Sequence, residues 1–385
     1  MDTASLKQDI IEYSKTIGID KIGFAAPSTF EEMKVRLYKQ QELQYHSGFE
    51  EKDIEKRTEP SLIFDSPKSI ISIALAYPSK MKTKVVSKKG ERRGIFCRAS
   101  WGTDYHVVLR DRLKKLEEYI ASKVPGSMFK SMVDTGELVD RAVAERAGIG
   151  WSGKNCSIIT PEFGSYVYLG EMITNIPFEP DTPMEDRCGS CNKCVDVCPT
   201  GALVQGGQLD AQKCIAFVTQ TKGFLADEFR VKLGNRLYGC DTCQTVCPEN
   251  KGKDFHFHEE MEPDPEIAKP LLKPLLTMSN RDFKEKFGHV SGSWRGKKPI
   301  QRNAIIALAH YKDDSAVPEL IKVMQDDPRP VLRGTAAWAL GKIGGSEALD
   351  ALKHASTVEK EEEVLYEISK GLEFFKDNPE SNITV

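Results

Sequence analysis

Eight of the ten cysteines in this chain lie between residues 188 and 247, and their spacing constrains the fold more than any other feature. The two runs are Cys188-Gly-Ser-Cys191-Asn-Lys-Cys194-Val-Asp-Val-Cys198-Pro199 and Cys240-Asp-Thr-Cys243-Gln-Thr-Val-Cys247-Pro248. Leu237 stands where the second run needs a further cysteine, and Cys214 can substitute for it. Each closing proline ends the local helix and turns the chain away. The eight thiols therefore form one linked set of metal ligands.

The first run has the spacing C-x2-C-x2-C-x3-C-P of bacterial ferredoxins, whose fourth cysteine binds the other cluster of a two-cluster protein. This pattern predicts two 4Fe-4S clusters with crossed ligation. Cluster 1 would be bound by Cys188, Cys191, Cys194 and Cys247, and cluster 2 by Cys198, Cys214, Cys240 and Cys243. Two structural zinc sites are the alternative, because C-x2-C pairs also suit tetrahedral zinc. Zinc does not require the x2-x2-x3-Pro spacing twice, so the pattern favours single-electron transfer.

Length and charge leave the class of protein open, but the amino-terminal sequence indicates the cellular compartment in which the protein is expected. The 385 residues allow two or three domains, and the net charge of -3 does not indicate a nucleic-acid binder. The sequence starts Met-Asp-Thr-Ala-Ser, without a signal-peptide pattern, and contains no apolar run long enough to span a membrane. We therefore expect a cytoplasmic protein without membrane contact, in which a disulfide framework is disfavoured.

Apolar patterning predicts an α+β fold of three domains. Residues 1–176 would form a mixed α/β domain, with strands at 69–78, 130–136 and 166–174 and helices starting after Asp104 and at Leu138. Prolines 177, 180 and 183 mark a linker into a ferredoxin-like domain at 177–255. The remaining residues, 256–385, are predicted to be helical.

The helical part contains an internal repeat. The first copy is Ala304, Ala307, Leu308, Ala316 and Leu320, and the second is Ala336, Ala339, Leu340, Ala348 and Leu352. Ile368, Gly371 and Leu372 continue the register as a fainter third copy. This periodicity indicates HEAT-like helical repeats from about residue 295, which usually provide a binding surface. A generic bundle of helical hairpins is the alternative.

Two basic segments are candidates for binding a polyanion. The first extends from Lys80 to Arg98, and the second, at the entrance to the repeats, consists of Arg295, Lys297, Lys298 and Arg302. A run of charge is often only a solvated face. The sequence alone leaves both interpretations open.

An acceptor for the electrons should lie in the first domain. The chain has no G-x-G-x-x-G motif that follows a strand and no G-x-x-x-x-G-K-[ST] motif, so a Rossmann or P-loop site has no support. The best candidate is the turn at Asp134, followed by a helix and a glycine-rich loop with Lys154, Asn155 and Ser157. A lone Asp-Thr-Gly cannot act as an aspartic protease, which needs two such carboxylates. Asp134 as an ordinary turn residue, and Cys97 as a small buried side chain, are the alternatives.

The segment from Asp134 to Asn155, the stretch Trp101-Gly-Thr-Asp-Tyr-His106, the cysteine runs and the helical repeats together resemble the epoxyqueuosine reductase family over essentially the whole chain. The resemblance implies a cobalamin-dependent enzyme related to reductive dehalogenases. Such an enzyme completes queuosine at the wobble position of tRNAs for aspartate, asparagine, histidine and tyrosine.

The resemblance also implies roles for individual residues. Asp134 matches the proton donor of the family, so its carboxyl would be held protonated by apolar surroundings or be re-protonated in each cycle. The cobalamin pocket would be lined by Arg57, Cys97, Asp134, Arg141, Lys154, Asn155 and Ser157. The tRNA anticodon stem-loop would lie along Arg295, Lys297, Lys298 and Arg302. Asp104-Tyr-His106 is followed by Val-Val-Leu109, so the Asp-x-His-x-x-Gly motif that supplies a lower cobalt ligand elsewhere is absent.

Two other functions stay open at this point. A reductive dehalogenase of small organohalides would use the same cofactors, and a ferredoxin-like electron carrier would use the clusters alone. The repeats, the basic entrance and the lack of an export signal argue against the first, and the second predicts a protein without a corrinoid. In each case we expect a monomer that receives electrons from an unidentified reducing partner.

Overall fold

The structure is a computed structural model that describes residues 2–377. Its helices are α1 (Thr3–Thr16), α2 (Glu31–Glu42), α3 (Ile54–Thr58), α4 (Tyr105–Lys123), α5 (Asp140–Arg146), α6 (Lys193–Asp196), α7 (Ile215–Val218), α8 (Asp227–Leu233), α9 (Thr242–Thr245), α10 (Pro265–Ala268), α11 (Leu272–Leu276), α12 (Asn280–Phe287), α13 (Lys297–Tyr311), α14 (Val317–Asp326), α15 (Pro330–Ile343), α16 (Ser346–Val358) and α17 (Glu362–Asp377). Its strands are β1 (Lys21–Ala25), β2 (Ser69–Ala76), β3 (Ile95–Phe96), β4 (Phe129–Met132), β5 (Trp151–Ser152), β6 (Ile158–Ile159), β7 (Val167–Thr174), β8 (Leu203–Gln205), β9 (Gln208–Leu209) and β10 (Arg236–Tyr238). The predicted α+β class is confirmed.

The chain folds as two compact units. Among the described residues, unit 1 consists of residues 2–80, 102–214 and 241–262, and unit 2 consists of residues 81–101, 215–240 and 263–377. Consecutive segments of the chain therefore alternate between the two units, so neither unit is one continuous range of residues. The predicted boundaries at 176 and 255 stay predictions, and the last eight residues of the predicted third domain lie outside the described chain.

Unit 1 is built on a four-stranded antiparallel sheet with the order β1-β2-β7-β4. Every residue of β2 is buried, as its uninterrupted apolar pattern predicted. The strand predicted at 166–174 is confirmed as β7, and the one predicted at 130–136 is shorter, ending at Met132. The sheet places the carboxyl end of β4, and the turn that follows it, at one edge of this unit.

Helix α4 begins where its capping residue predicted. The Asp104 side chain accepts a hydrogen bond from the His106 backbone N–H, and the apolar face formed by Leu109, Leu113, Leu116 and Ile120 is fully buried. Tyr105 and His106 therefore occupy the first turn of a firmly packed helix. The capping geometry is what places these two side chains.

The cysteine region of unit 1 is pseudo-symmetric. The short helices α6 and α9 each carry one cysteine run and pack against each other. The small hairpin of β8 and β9 follows the first run. This arrangement brings two runs that are distant in sequence into one part of the unit.

The helices of unit 2 confirm the predicted repeat register. All ten alanine and leucine positions of the first two copies are fully buried, at 0% exposure, and Ile368 of the third copy is 1% exposed. They belong to α13–α17 and the turn before α14, and α15 packs against α13, α14 and α17. None of the helices within residues 2–377 combines the length and apolar character needed to cross a membrane.

Candidate functional site

The Asp134 side chain projects from a strained turn directly after β4. Asp134 has a φ of 53°, a left-handed conformation that is uncommon for residues other than glycine. Its backbone N–H donates to Asp140 Oδ2 over 2.9 Å, and the Tyr105 hydroxyl donates to Asp134 Oδ2 over 2.8 Å. The side chain is 61% exposed. Aspartate tolerates this conformation in ordinary turns, so it is the exposed carboxylate held by Tyr105 that distinguishes Asp134 from an ordinary turn residue.

His106 links two carboxylates. Its Nδ1 lies 2.7 Å from Asp104 Oδ1, and its Nε2 lies 3.4 Å from Asp134 Oδ2. Burial alone lowers the pKa of His106, but the interactions with Asp104 and Asp134 outweigh burial and raise this pKa to about 9. His106 is therefore a cation at neutral pH, and its proton lies beside the Asp134 carboxylate.

The Asp134 carboxyl was expected either to be held protonated by apolar surroundings or to be re-protonated in each cycle. The interaction with His106 lowers the pKa of Asp134, and the Tyr105 hydroxyl adds to this effect. The lowered pKa does not favour a carboxyl that apolar surroundings keep protonated. Re-protonation in each cycle is the possibility that remains, and His106 is the group placed to supply the proton.

Two further carboxyl groups lie beneath the Asp134 turn. Glu171 in β7 is fully buried, and neither carboxyl oxygen has a complete hydrogen bond among the described residues. Burial, together with the neighbouring Asp140, raises the pKa of Glu171 well above its ordinary value. Burial and the charge of Asp134 raise the pKa of Asp140 to about 6. The raised pKa favours the neutral form of Glu171, and Asp140 is the carboxyl group that holds the Asp134 backbone.

The Glu171→Gln variant should be more stable than the parent chain at pH 8. A carboxyl group with a raised pKa in the folded state lowers the free energy of unfolding as pH increases. The loss begins at the pKa of the unfolded chain, 4.5, and is complete above the pKa of the folded state. Glutamine has a similar shape and no such proton linkage, so we expect a gain of about 1–3 kcal/mol in the free energy of unfolding at pH 8. The gain should vanish below pH 4.5.

Denaturant unfolding of the chain at both pH values measures this difference. Glu162→Gln is a matched control, because Glu162 is half-exposed and paired with Lys21. Equal stability of the parent and Glu171→Gln at pH 8 would contradict a neutral, buried Glu171.

Two predicted cobalamin residues, Arg57 and Arg141, lie near this group. Burial lowers the pKa of Arg57, whose neighbouring charges include Asp140 and Arg141. Arg141 Nη1 donates to the Cys156 carbonyl over 2.6 Å, whereas its Nε is buried without a hydrogen bond in the described chain. The structure thus brings Arg57, Arg141 and Asp134 together around the start of α5.

Lys154 and Asn155 lie elsewhere in unit 1. They line a cavity together with Cys188, Cys191, Cys194 and Cys247. Lys154 Nζ donates to the Gly189 carbonyl over 2.7 Å and to Asn192 Oδ1 over 2.9 Å, so it closes over the first cysteine loop. Ser157 donates its backbone N–H to Asn155 Oδ1. The four thiols predicted to bind cluster 1 therefore share one cavity, and the roles of Lys154, Asn155 and Ser157 toward cobalamin stay predictions.

The thiols of the second predicted set have a different environment. Burial raises the pKa of Cys198, but the backbone N–H groups of Leu203, Thr200 and Ala202 outweigh it and lower this pKa overall. Such a nest of N–H groups favours a thiolate. Cys214 and Cys243 also belong to unit 1, and Cys240 belongs to a segment of unit 2. The ligand set of cluster 2 stays a prediction.

Cys97 belongs to unit 2, in contrast to the other predicted cobalamin residues. Its backbone N–H donates to the Tyr238 carbonyl over 2.9 Å. Gly239 has a φ of 71°, and a Cβ atom there would lie 2.3 Å from Cys97 Sγ. Glycine is therefore required opposite this thiol, and the role of Cys97 toward cobalamin stays a prediction.

The predicted basic patch lies in a groove of unit 2, with one exception. Arg295, Lys297 and Lys298 line a groove of about 660 Å³ with Lys322 and Arg329. Arg302 is 1% exposed, and its guanidinium donates to backbone carbonyls of residues 218, 221 and 223. The prediction that Arg302 binds tRNA is therefore wrong, because this side chain is fully engaged in the core.

Sequence reasoning missed four members of the Asp134 site, namely Tyr105, His106, Asp140 and Glu171. One signal was available for Glu171, which is a charged residue inside an otherwise apolar strand pattern. Tyr105 and His106 follow the helix cap, but no spacing rule links them to residue 134. Only the packing of α4 against β4 and β7 shows that these side chains meet.

Three models of known protein families match parts of this chain. Residues 57–135 match the family model described as epoxyqueuosine reductase QueG, residues 187–250 match the 4Fe-4S double cluster binding domain, and residues 296–373 match HEAT repeats. The double cluster match disfavours the zinc alternative. The HEAT match confirms the predicted repeats.

Three relatives resemble the whole chain. The epoxyqueuosine reductase of Bacillus anthracis is 73% identical over 99% of this chain and 100% of its own length. A solved epoxyqueuosine reductase in complex with a tRNA-Tyr epoxyqueuosine-modified stem loop is 68% identical, with a TM-score of 0.95, and covers 97% of this chain and 100% of its own. The Bacillus subtilis enzyme, solved with its Asp134 catalytic loop swung out of the active site, matches with the same identity, TM-score and coverage. On this full-length similarity, the chain belongs to the epoxyqueuosine reductase family.

Proposed function

We propose that this protein reduces epoxyqueuosine to queuosine at the wobble position of tRNAs for aspartate, asparagine, histidine and tyrosine, the last step of queuosine synthesis. The observation that carries the proposal is the Asp134 carboxylate, held by Tyr105 beside a protonated His106. This arrangement supplies a proton to an oxygen that leaves a substrate. The full-length relative solved with an epoxyqueuosine-modified stem loop supports the choice of substrate.

The reaction determines what the site must supply. Conversion of an epoxide to an alkene consumes two electrons and two protons and releases the oxygen as water. Oxygen is a poor leaving group as an alkoxide, so a positioned acid is needed, and such acids typically contribute about 10²–10⁴ in rate. Asp134 is an exposed carboxylate that would relay the His106 proton to the oxygen as the C–O bond breaks. The second proton, which completes the water, and the proton that restores His106 would come from solvent, and the Tyr105 hydroxyl would hold the carboxylate in position.

The electrons require cofactors that fit the residues present. We propose two 4Fe-4S clusters, bound as the cysteine spacing predicts, and one cobalamin. The four thiols of the first set share one cavity, which fits a cluster. The buried, unpaired Arg141 Nε and the neighbouring Arg57 suit the acceptor groups of a cobalamin. When bound, cobalamin supplies a low-valent cobalt that delivers electrons to the substrate, and the clusters supply electrons singly.

The tRNA would bind along the basic groove of unit 2. Arg295, Lys297 and Lys298 offer cations for phosphates, and the amino terminus of α13, which has no side-chain cap, opens at the same place. The Lys80–Arg98 segment is a weaker candidate, because Lys88, Lys89 and Arg93 are paired with acidic residues. The target base would be turned out of its loop, as in other enzymes that act on a base.

The function is tested by anaerobic reconstitution with iron, sulfide and cobalamin, followed by addition of an epoxyqueuosine-containing anticodon stem-loop and a chemical reductant. Mass spectrometry of the nucleoside should show the loss of one oxygen atom. Turnover of an organohalide without turnover of this stem-loop would indicate a dehalogenase instead. Two clusters without any bound corrinoid or turnover would indicate an electron carrier. A cytoplasmic location, a monomeric state and a separate reducing partner are part of the proposal.

The His106→Asn variant should show the contribution of the His106 proton. The parent enzyme should lose activity as pH rises through about 9, where His106 loses its proton. The variant should lack this alkaline limb and turn over about ten-fold or more slowly at pH 7. Turnover against pH under saturating reductant measures both effects, and an unchanged profile would exclude His106 as the proton source.

A further inference from the structure

The hairpin of β5 and β6 forms a rigid element beside the first cysteine set. Trp151 pairs with Ile159, and the Gly153 backbone N–H donates to the Ser157 carbonyl over 2.8 Å across the turn. The Ser152 hydroxyl donates to Glu145 Oε2 over 2.8 Å, and Arg141 donates to the Cys156 carbonyl. Both contacts attach the hairpin to α5, the helix whose first residue holds the Asp134 turn.

Asn155 presents an unsatisfied donor to the cluster 1 cavity. The side chain is 6% exposed and lines the cavity with the four cysteines. Its Oδ1 accepts the Ser157 backbone N–H over 3.2 Å, which determines the orientation of the amide, because a backbone N–H requires an oxygen acceptor. Its Nδ2 has no partner within the described residues. A buried donor left unpaired destabilises the fold, so an acceptor is expected in the cavity.

Trp151 presents a second donor from the same hairpin. Its indole is fully buried, and Nε1 forms no geometrically complete hydrogen bond in the described chain. Trp151 lies beside the first cysteine loop, because Arg187, the residue directly before Cys188, is positioned over its ring. The Arg187 guanidinium, which also lines the cavity, lies 5.4 Å from the Trp151 ring centroid.

We propose that the β5–β6 hairpin sets the reduction potential of cluster 1, with Asn155 Nδ2–H and Trp151 Nε1–H donating to sulfur atoms of the cluster and its Cys188 ligand. The inference rests on the proposed function, since it requires a cluster bound by the first cysteine set. Hydrogen bonds to sulfur stabilise the additional negative charge of the reduced state and thereby raise the reduction potential. The donors thus favour arrival of an electron at cluster 1.

The test compares the parent chain with Asn155→Leu, which removes the amide donor, and Trp151→Phe, which keeps an aromatic ring and removes the indole N–H. Each full-length protein is reconstituted anaerobically, and the EPR signal of each reduced cluster is followed in a redox titration. We expect the midpoint potential of cluster 1 to become more negative in each variant by at least about 59 mV. For a one-electron couple, this shift is a ten-fold change in the ratio of reduced to oxidised cluster. Cluster 2 should keep its midpoint and serves as the internal control.

The outcomes separate this inference from the proposed function. Fewer than two clusters in the parent chain, by iron and sulfide content, would contradict the proposed cofactors. Two intact clusters with unchanged midpoints in both variants would overturn the role of the hairpin and leave the function standing. If Asn155→Leu fails to retain cluster 1, Asn155→Ser and Trp151→Phe decide the question, because both changes are smaller.

Discussion

Asp134→Asn is expected to lower turnover of epoxyqueuosine-containing tRNA by about 10²–10⁴, the usual contribution of a general acid. Asparagine keeps the size of the side chain and an oxygen that accepts from the Tyr105 hydroxyl, but it carries no transferable proton. The Asp134 backbone N–H still donates to Asp140, so the turn should keep its shape. Single-turnover assays with pre-reduced protein measure the loss at the chemical step.

The variant should retain both clusters and bound cobalamin by absorbance and EPR spectroscopy, which separates lost chemistry from lost cofactor. Asp111→Asn is the matched control, because Asp111 is a half-exposed carboxylate on α4 that pairs only with Arg112 and Lys115 among the contacts described. Full activity of Asp134→Asn would exclude this carboxyl as the acid.

The double variant Lys297→Glu, Lys298→Glu should bind the tRNA stem-loop at least ten-fold more weakly and with less dependence on salt. Each lysine that neutralises a phosphate releases counterions, so the loss of two such contacts should reduce the slope of log K against log salt by about 1–2. Lys298 is exposed, and Lys297 Nζ is within 2.8 Å of the Met278 carbonyl at the wall of the groove. Fluorescence anisotropy at several salt concentrations measures both quantities.

The control for this variant is Lys353→Glu, an exposed charge reversal on α16 that does not line the groove. A circular dichroism spectrum equal to that of the parent shows that α13 keeps its fold. Unchanged affinity across the salt range would remove the groove from the tRNA interface.

The cysteine spacing predicted a real spatial grouping. Ligands of a cluster must surround one point, so the sequence pattern constrains the structure strongly, and the thiols of the first set do share one cavity. The helical repeats were predictable for a related reason. Small residues recur wherever neighbouring helices pack closely, and Ala304 and Ala336 are fully buried as the register required.

The sequence did not reveal the surroundings of individual side chains, because these depend on contacts between segments distant in sequence. Arg302 belongs to a basic run, but its side chain points into the core, where carbonyl groups near residue 220 satisfy it. Asp134 was expected to be held protonated by apolar surroundings or to be re-protonated in each cycle, and the sequence did not reveal that a histidine and a tyrosine from the first turn of α4 contact it. Charge and composition do not show where a side chain points.

The sequence by itself determined the ligand spacing, the strand and helix patterns and the family, because each of these is recorded in residues at short or periodic separations. The tertiary structure alone decided the proton chemistry, since His106, Asp140 and Glu171 meet Asp134 only when α4, α5 and β7 pack around β4. The tertiary structure also places Lys154 and Asn155 of the glycine-rich loop in one cavity with the first cysteine set. Burial and through-space charge set these properties, and neither is defined until distant segments come into contact.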